Sequence, residues 1–145
     1  MRGTFSENVY AQICNNFNTA IADGDFPASG SYIDVSGYTH FAFLVAAGTL
    51  TSELTLQVQE FSAATGTATS ITGATATVEA GDGGKAFLIE VETARLTDSY
   101  EYVTLDVSGQ AGSDDYLSIW FLGWNARHAP ITAWTNMDTT TEVVG

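Results

Sequence analysis

The chain has 145 residues, with seventeen Asp and Glu against four Lys and Arg, a formal charge of −13 that excludes a surface built to hold nucleic acid or an anionic membrane. At this length one hydrophobic core forms without staples; the single cysteine, Cys14, makes no internal disulfide, and no run reaches the eighteen or so apolar residues of a membrane helix. Only 14% of residues are charged, while 45% are hydrophobic and 12% aromatic, so the surface is built from Thr, Ser, Gly, Asn and Ala, a composition that favours strands and excludes disorder throughout.

Met1 to Glu7 contains no apolar core of signal-peptide length. From Thr4 to Asn18 the pattern is polar and aromatic, with a short extended stretch at Tyr10–Cys14 and a turn at Asn15-Asn16, although Ser6 to Ala22 also has propensities mixed enough to hide a helix. Residues 1–30 therefore read as an N-terminal arm ending in the turn-rich run Ala22 to Gly30. A β domain follows over 31–130. Ser31–Val35 suits an edge strand and Tyr38–Ala46 a central one, with Phe41, Phe43 and Val45 on one face.

Leu54, Leu56 and Val58 alternate with Thr55, Gln57 and Gln59, and Phe61, out of phase, demands a bulge near Gln59-Glu60 if it too faces the core. Register is weakly specified over 62–77, with a short strand at Ala74–Glu79. Asp82-Gly83-Gly84 predicts a hairpin into Ala86–Glu92. Val103, Leu105 and Val107 point inward in Tyr100–Ser108, and the nearly continuous apolar run Tyr116–Trp124 reads as a strand covered on both faces at the centre of the fold. Residues 131–145 form a Thr-rich C-terminal arm. Six to eight short antiparallel strands without a helical stripe predict an all-β single-domain sandwich or barrel with extended arms at both ends.

The chemical inventory is thin for an enzyme. His40 and His128 stand alone, with no His-x-His, no paired cysteines and no Gly-x-Ser-x-Gly elbow. The loops Asp23-Gly24-Asp25, Asp82-Gly83-Gly84 and Asp114-Asp115 are oxygen-rich but lack EF-hand spacing and read as turns, and Glu90 and Glu92 merely satisfy strand alternation. No catalytic residue, metal site or cofactor is expected. The two ends instead carry isolated large apolar groups, Phe5, Tyr10 and Phe17 at one and Trp134, Met137 and Val143-Val144 at the other, the pattern of arms that add strands to neighbours or fill their grooves.

Gly37 to Leu50, Leu54 to Glu60, Tyr102 to Val107 and the close Leu122-Gly123-Trp124-Asn125-Ala126-Arg127-His128-Ala129-Pro130 together resemble the head decoration, or cement, proteins of tailed bacteriophages, usually encoded beside the major capsid protein. The resemblance covers about two thirds of the chain. It implies a structural virion protein, made in the host cytoplasm, that sits on the capsid surface and ties capsomers of the major capsid protein together, often as a trimer at local three-fold positions. Under it, Phe5, Tyr10, Phe17, Trp124, Arg127, His128, Trp134 and Met137 are the expected interface residues, with neither nucleic acid nor membrane as partner. A glycan-binding β-sandwich module of a phage tail or adsorption apparatus is the alternative, with Trp120, Trp124 and Trp134 as stacking faces.

Overall fold

The structure is a computed structural model that describes residues 8–111, 114–125 and 137–143. Within them the chain forms β1 (Val9–Asn15), β2 (Gly24–Phe26), β3 (Ile33–Asp34), β4 (His40–Ala47), β5 (Leu54–Phe61), β6 (Thr69–Val78), β7 (Ala86–Glu92), β8 (Tyr102–Ser108), β9 (Leu117–Trp124) and β10 (Met137–Val143). Sheet A has the order β1-β9-β4-β7-β10; sheet B has β2-β8-β5-β6, with β3 also paired to β8. Taking β2 and β3 as one interrupted strand, the two sheets reproduce the eight-stranded jelly roll, and β10 is added outside it, parallel to β7.

Strand alternation builds the core between the sheets. Phe41, Phe43 and Val45 of β4, Phe87, Ile89 and Val91 of β7, and Leu117, Ile119 and Phe121 of β9 meet Leu54, Leu56 and Val58 of β5 and Val103, Leu105 and Val107 of β8, all fully buried. Each such side chain contributes about 1.5–3 kcal/mol on removal from water. The ring of Phe121 lies 5.9 Å from that of Phe41 and 5.6 Å from that of Phe43, so an aromatic cluster ties β9 to β4.

Several expectations from the sequence need correction. The stretch read as an N-terminal arm supplies two strands: β1 pairs antiparallel with β9, and β2 with β8. The Asp82 turn exists, with Asp82 Oδ2 accepting the Glu79 N–H at 2.9 Å and Lys85 bonded to Asp82, but it makes no hairpin. It passes the chain from β6 in sheet B to β7 in sheet A. The middle strand of sheet A is β4, not β9, and β9 exposes Trp120 on its outer side. The strand expected at Ala74–Glu79 spans ten residues as β6.

Phe61 is buried by a different device from the one expected. Pairing of β5 with β8 runs unbroken to Phe61, and the register shift lies on the β6 side, between Gln57 and Gln59. Phe61 is covered by the ring of Tyr32, stacked at 3.9 Å. Glu60, in the inward phase, is buried at the end of the sandwich, where its carboxylate accepts the N–H and hydroxyl of Thr97.

Candidate interaction surface

The outer sides of the two sheets differ in chemistry. On sheet B the outward positions are Thr55, Gln57 and Gln59 of β5, Asp106 and Ser108 of β8, and Thr75 and Thr77 of β6. Asp25 stands directly opposite Asp106 across the β2–β8 pairing. Burial, then the nearby charges of Asp25 and Asp23, push the Asp106 carboxyl above its usual range, the electrostatic mark of an acidic patch.

Sheet A is the opposite case. Its register lines up outward residues in rows across four strands: Val9, Trp124, His40 and Glu92; Ala11, Leu122, Ala42 and Glu90; Ile13, Trp120, Leu44 and Leu88; and, at the far end, Ser118, Ala46 and Ala86. Apart from the two glutamates on β7 the face carries no carboxylate among these positions. Leu44, Leu88, Leu122 and Trp124 are half-buried, and Trp120 keeps its indole N–H on Ser118 Oγ at 3.2 Å. His40 stacks on Trp124 with ring centroids 6.0 Å apart, which makes it part of this face, and among the described residues it joins no group of metal-ligating side chains.

The apolar character intensifies toward β1. Among the described residues the exposed large hydrophobic ones are Tyr10 (48%), Ile13 (52%), Phe17 (71%) and Trp120 (37%), which lie on β1, in the turn that follows it, and on the neighbouring β9. Tyr10 closes the open end of the sandwich. Its ring stacks at 6.1 Å on Tyr38, and the Tyr38 ring in turn lies against Gly123, where a Cβ would approach ring atoms to 3.0 Å. Gly123 is thus required so that Tyr38 and Tyr10 can pack over β9.

Among the expected interface residues, Tyr10, Phe17 and Trp124 lie on this edge, and Val9 and Trp124 are register partners. Met137 begins β10, opposite Ala86. Phe5, Arg127, His128 and Trp134 lie outside the described residues. The sequence reading missed Ile13, Leu44, Leu88 and Leu122, and took Trp120 for a possible sugar platform only. The signal was present in the apolar run of β9, but which of its residues face outward is set by pairing with β1 and β4.

Elsewhere the acidic loops act as internal anchors. Asp23 Oδ1 accepts the Gln110 N–H at 2.8 Å, Asp25 Oδ2 the Tyr32 hydroxyl at 2.8 Å, and Asp82 pairs with Lys85 at 2.7 Å. Among the described residues no group of three or more His, Cys, Asp or Glu side chains is arranged to hold a metal. An open cleft of about 340 Å³ near Tyr38 is lined by Thr93, Thr97, Asp98, Tyr100 and Glu101, with neither histidine nor cysteine in its wall among the described residues. Cys14 packs against the core, and burial, offset in part by a hydrogen bond from the Phe121 backbone, pushes its thiol up to about 12, far from a reactive thiolate.

No family model matches this chain, and no curated protein or solved structure matches it significantly.

Proposed function

We propose that this chain is a decoration protein of a tailed-phage head, a structural virion component that seats the outer side of sheet A on the major capsid protein and turns sheet B to solvent. The observation that supports it best is the two-sidedness of the sandwich. One outer side is apolar across β1, β9 and β4, with its carboxylates Glu90 and Glu92 at the β7 side, and the other carries the Asp23, Asp25 and Asp106 patch. Contact through Leu, Ala and Trp desolvates few charges, while an acidic exterior keeps particles from clumping. Many such contacts repeated over a shell add by avidity. The jelly roll itself does not decide the matter, since it serves both capsid and lectin domains.

One observation favours the glycan-binding alternative: Trp120 and Trp124 share the outer side of β9, about 13 Å apart along the strand. Their neighbours on the face weigh against it. Leu122, Leu44 and Ala42 offer sugar hydroxyls no hydrogen-bond partner.

The test is co-sedimentation of the purified protein with undecorated capsids. Saturable binding at a fixed ratio to the major capsid protein is expected. Absence of capsid binding, with retention on a glycan array instead, overturns the decoration reading in favour of the alternative.

A further inference from the structure

The edges of the two sheets are not equally protected. In sheet B the outer strands β2 and β3 are three and two residues long and carry Asp25 and Asp34. At the other side of sheet B, β6 is interrupted by Gly73 at φ +84° and is approached by β10. In sheet A the β7 edge is taken by β10, whose own sequence holds Asp138 and Glu142. Short strands, kinks and charges of these kinds are how sheets avoid adding a foreign strand.

Over Val9–Ile13, β1 has none of them. Its seven residues, Val-Tyr-Ala-Gln-Ile-Cys-Asn, include no charge, proline or glycine, and among the described residues it is paired on one side only, to β9. Its register with β9 is regular from Val9 to Ile13 and shifts between Ile13 and Asn15. The regular stretch is therefore centred on Ala11 and is close to self-complementary under reversal: Val9 with Ile13 at the ends, Tyr10 with Gln12 inside them.

We propose that β1 pairs antiparallel with β1 of a second copy of this chain, with Ala11 on the two-fold axis, fusing two A sheets into one. The charge distribution selects this occupant. Two molecules of formal charge −13 repel over most of their surface, and a neutral strand lets them meet without apposing carboxylates. Val9 and Ile13 of each copy fall opposite the other copy's Ile13 and Val9, extending the outward rows across the seam. Inward, each Tyr10 faces a Gln12, the pairing already made within one chain by the Tyr10 hydroxyl on Gln12 Oε1 at 3.1 Å.

The two-fold axis of an antiparallel ladder stands perpendicular to the sheet, so both outer faces of sheet A point the same way. The proposal goes beyond the capsid reading and does not rest on it; if that reading holds, the dimer presents a docking face of twice the width. A single five-residue seam about 17 Å long is smaller than a standard interface, so the dimer is concentration-dependent.

Sedimentation velocity of the full-length protein alone, from about 1 μM to about 1 mM, is the test, with no capsid present. A monomer–dimer equilibrium is expected, weakened roughly tenfold or more by Ile13→Asp at an unchanged melting temperature, since Ile13 is exposed and its loss empties no core. Directly opposed residues bring Cα atoms within disulfide range, so oxidised Ala11→Cys runs as a covalent dimer, whereas wild type, with Cys14 half-buried and three residues off the axis, and Thr77→Cys on the β6 edge do not. A monomer at all concentrations, a trimer, or cross-linking of Thr77→Cys as efficient as that of Ala11→Cys overturns the proposal.

Discussion

Asp115 and Thr51 join the loop before β9 to the loop after β4. Asp115 Oδ1 accepts the backbone N–H and, at 3.0 Å, the hydroxyl of Thr51, and at 3.1 Å the N–H of Ser52, while the Asp115 carbonyl takes the Ile21 N–H at 2.8 Å. Burial acts to raise this carboxyl, but the hydrogen bonds from Thr51 and Ser52 outweigh it and hold the group below its ordinary value. A carboxyl depressed on folding contributes stability at pH values above its unfolded value, about 3.9, and loses it as pH falls through the folded value. Asp115→Asn is therefore expected to lower the melting temperature at pH 7 by several degrees, for a loss of about 2 kcal/mol, and to flatten the fall in stability below about pH 4. Thermal melts of both proteins from pH 7 down to pH 2.5 check this; parallel curves would refute it.

The contact between Gly123 and Tyr38 sets a second expectation. A methyl group at 123 meets the ring at 3.0 Å, so Gly123→Ala must displace Tyr38 and, with it, the stacked Tyr10. Overpacking of this kind costs about 1–3 kcal/mol. The variant should melt lower and show altered near-ultraviolet circular dichroism from the tyrosines, and an unchanged melt would mean that the ring shifts at no cost.

Gln57 clamps the irregularity in sheet B. Its Nε2 donates to the carbonyl oxygens of Val58, Ile71 and Ala74, at 2.8, 3.0 and 3.1 Å, across the point where the β5–β6 register shifts. Gln57→Ala leaves those carbonyls without this donor, a loss of about 1–2 kcal/mol. Amide hydrogen exchange should quicken in residues 69–74 of β6 and stay as it was in β8; uniform quickening across both would show a global loss instead.

How much of this was legible in the sequence depended on whether a strand has one polar face. β7 has the predicted bounds, Ala86–Glu92, and β4, β5 and β8 fall within a few residues of theirs, because apolar and polar positions alternate with one side in the core. β1 was half legible: the extended stretch at Tyr10–Cys14 lies inside it, but Ala11 and Ile13 on its outer side are as apolar as Cys14 on its inner side, so alternation does not mark it as part of a sheet. β3 lies inside the edge strand read at Ser31–Val35, whereas β2, three residues in a turn-rich run, is a strand only through its pairing with β8, which no local pattern reveals. The turn at Asp82 was correctly placed, yet Asp-Gly-Gly serves a hairpin and a sheet-to-sheet passage equally well, and packing chooses between them. The candidate surface was half legible: Tyr10 and Phe17 stand out as isolated large groups and Trp124 was named through the resemblance, whereas Leu44, Leu88 and Leu122 do not stand out until the register places them in one outward face.

Because Trp120 stands between Ile13 and Leu44 in one row of sheet A while its ring remains partly exposed, it separates docking from folding. Trp120→Asp puts a charge at the middle of the apolar face without opening a cavity in the core between the sheets, where Ile119 and Phe121 remain in place. Desolvating an unpaired carboxylate against a capsid costs several kcal/mol, and truncating a central aromatic anchor costs about 2 kcal/mol or more besides, so capsid binding should fall roughly a hundredfold or more. Thr55→Asp, on the exposed outer side of sheet B, adds the same charge and should bind as wild type does. Co-sedimentation and melts of both variants decide the orientation: equal loss for the two charges would mean that simple repulsion governs binding, and loss with Thr55→Asp alone would place sheet B against the shell.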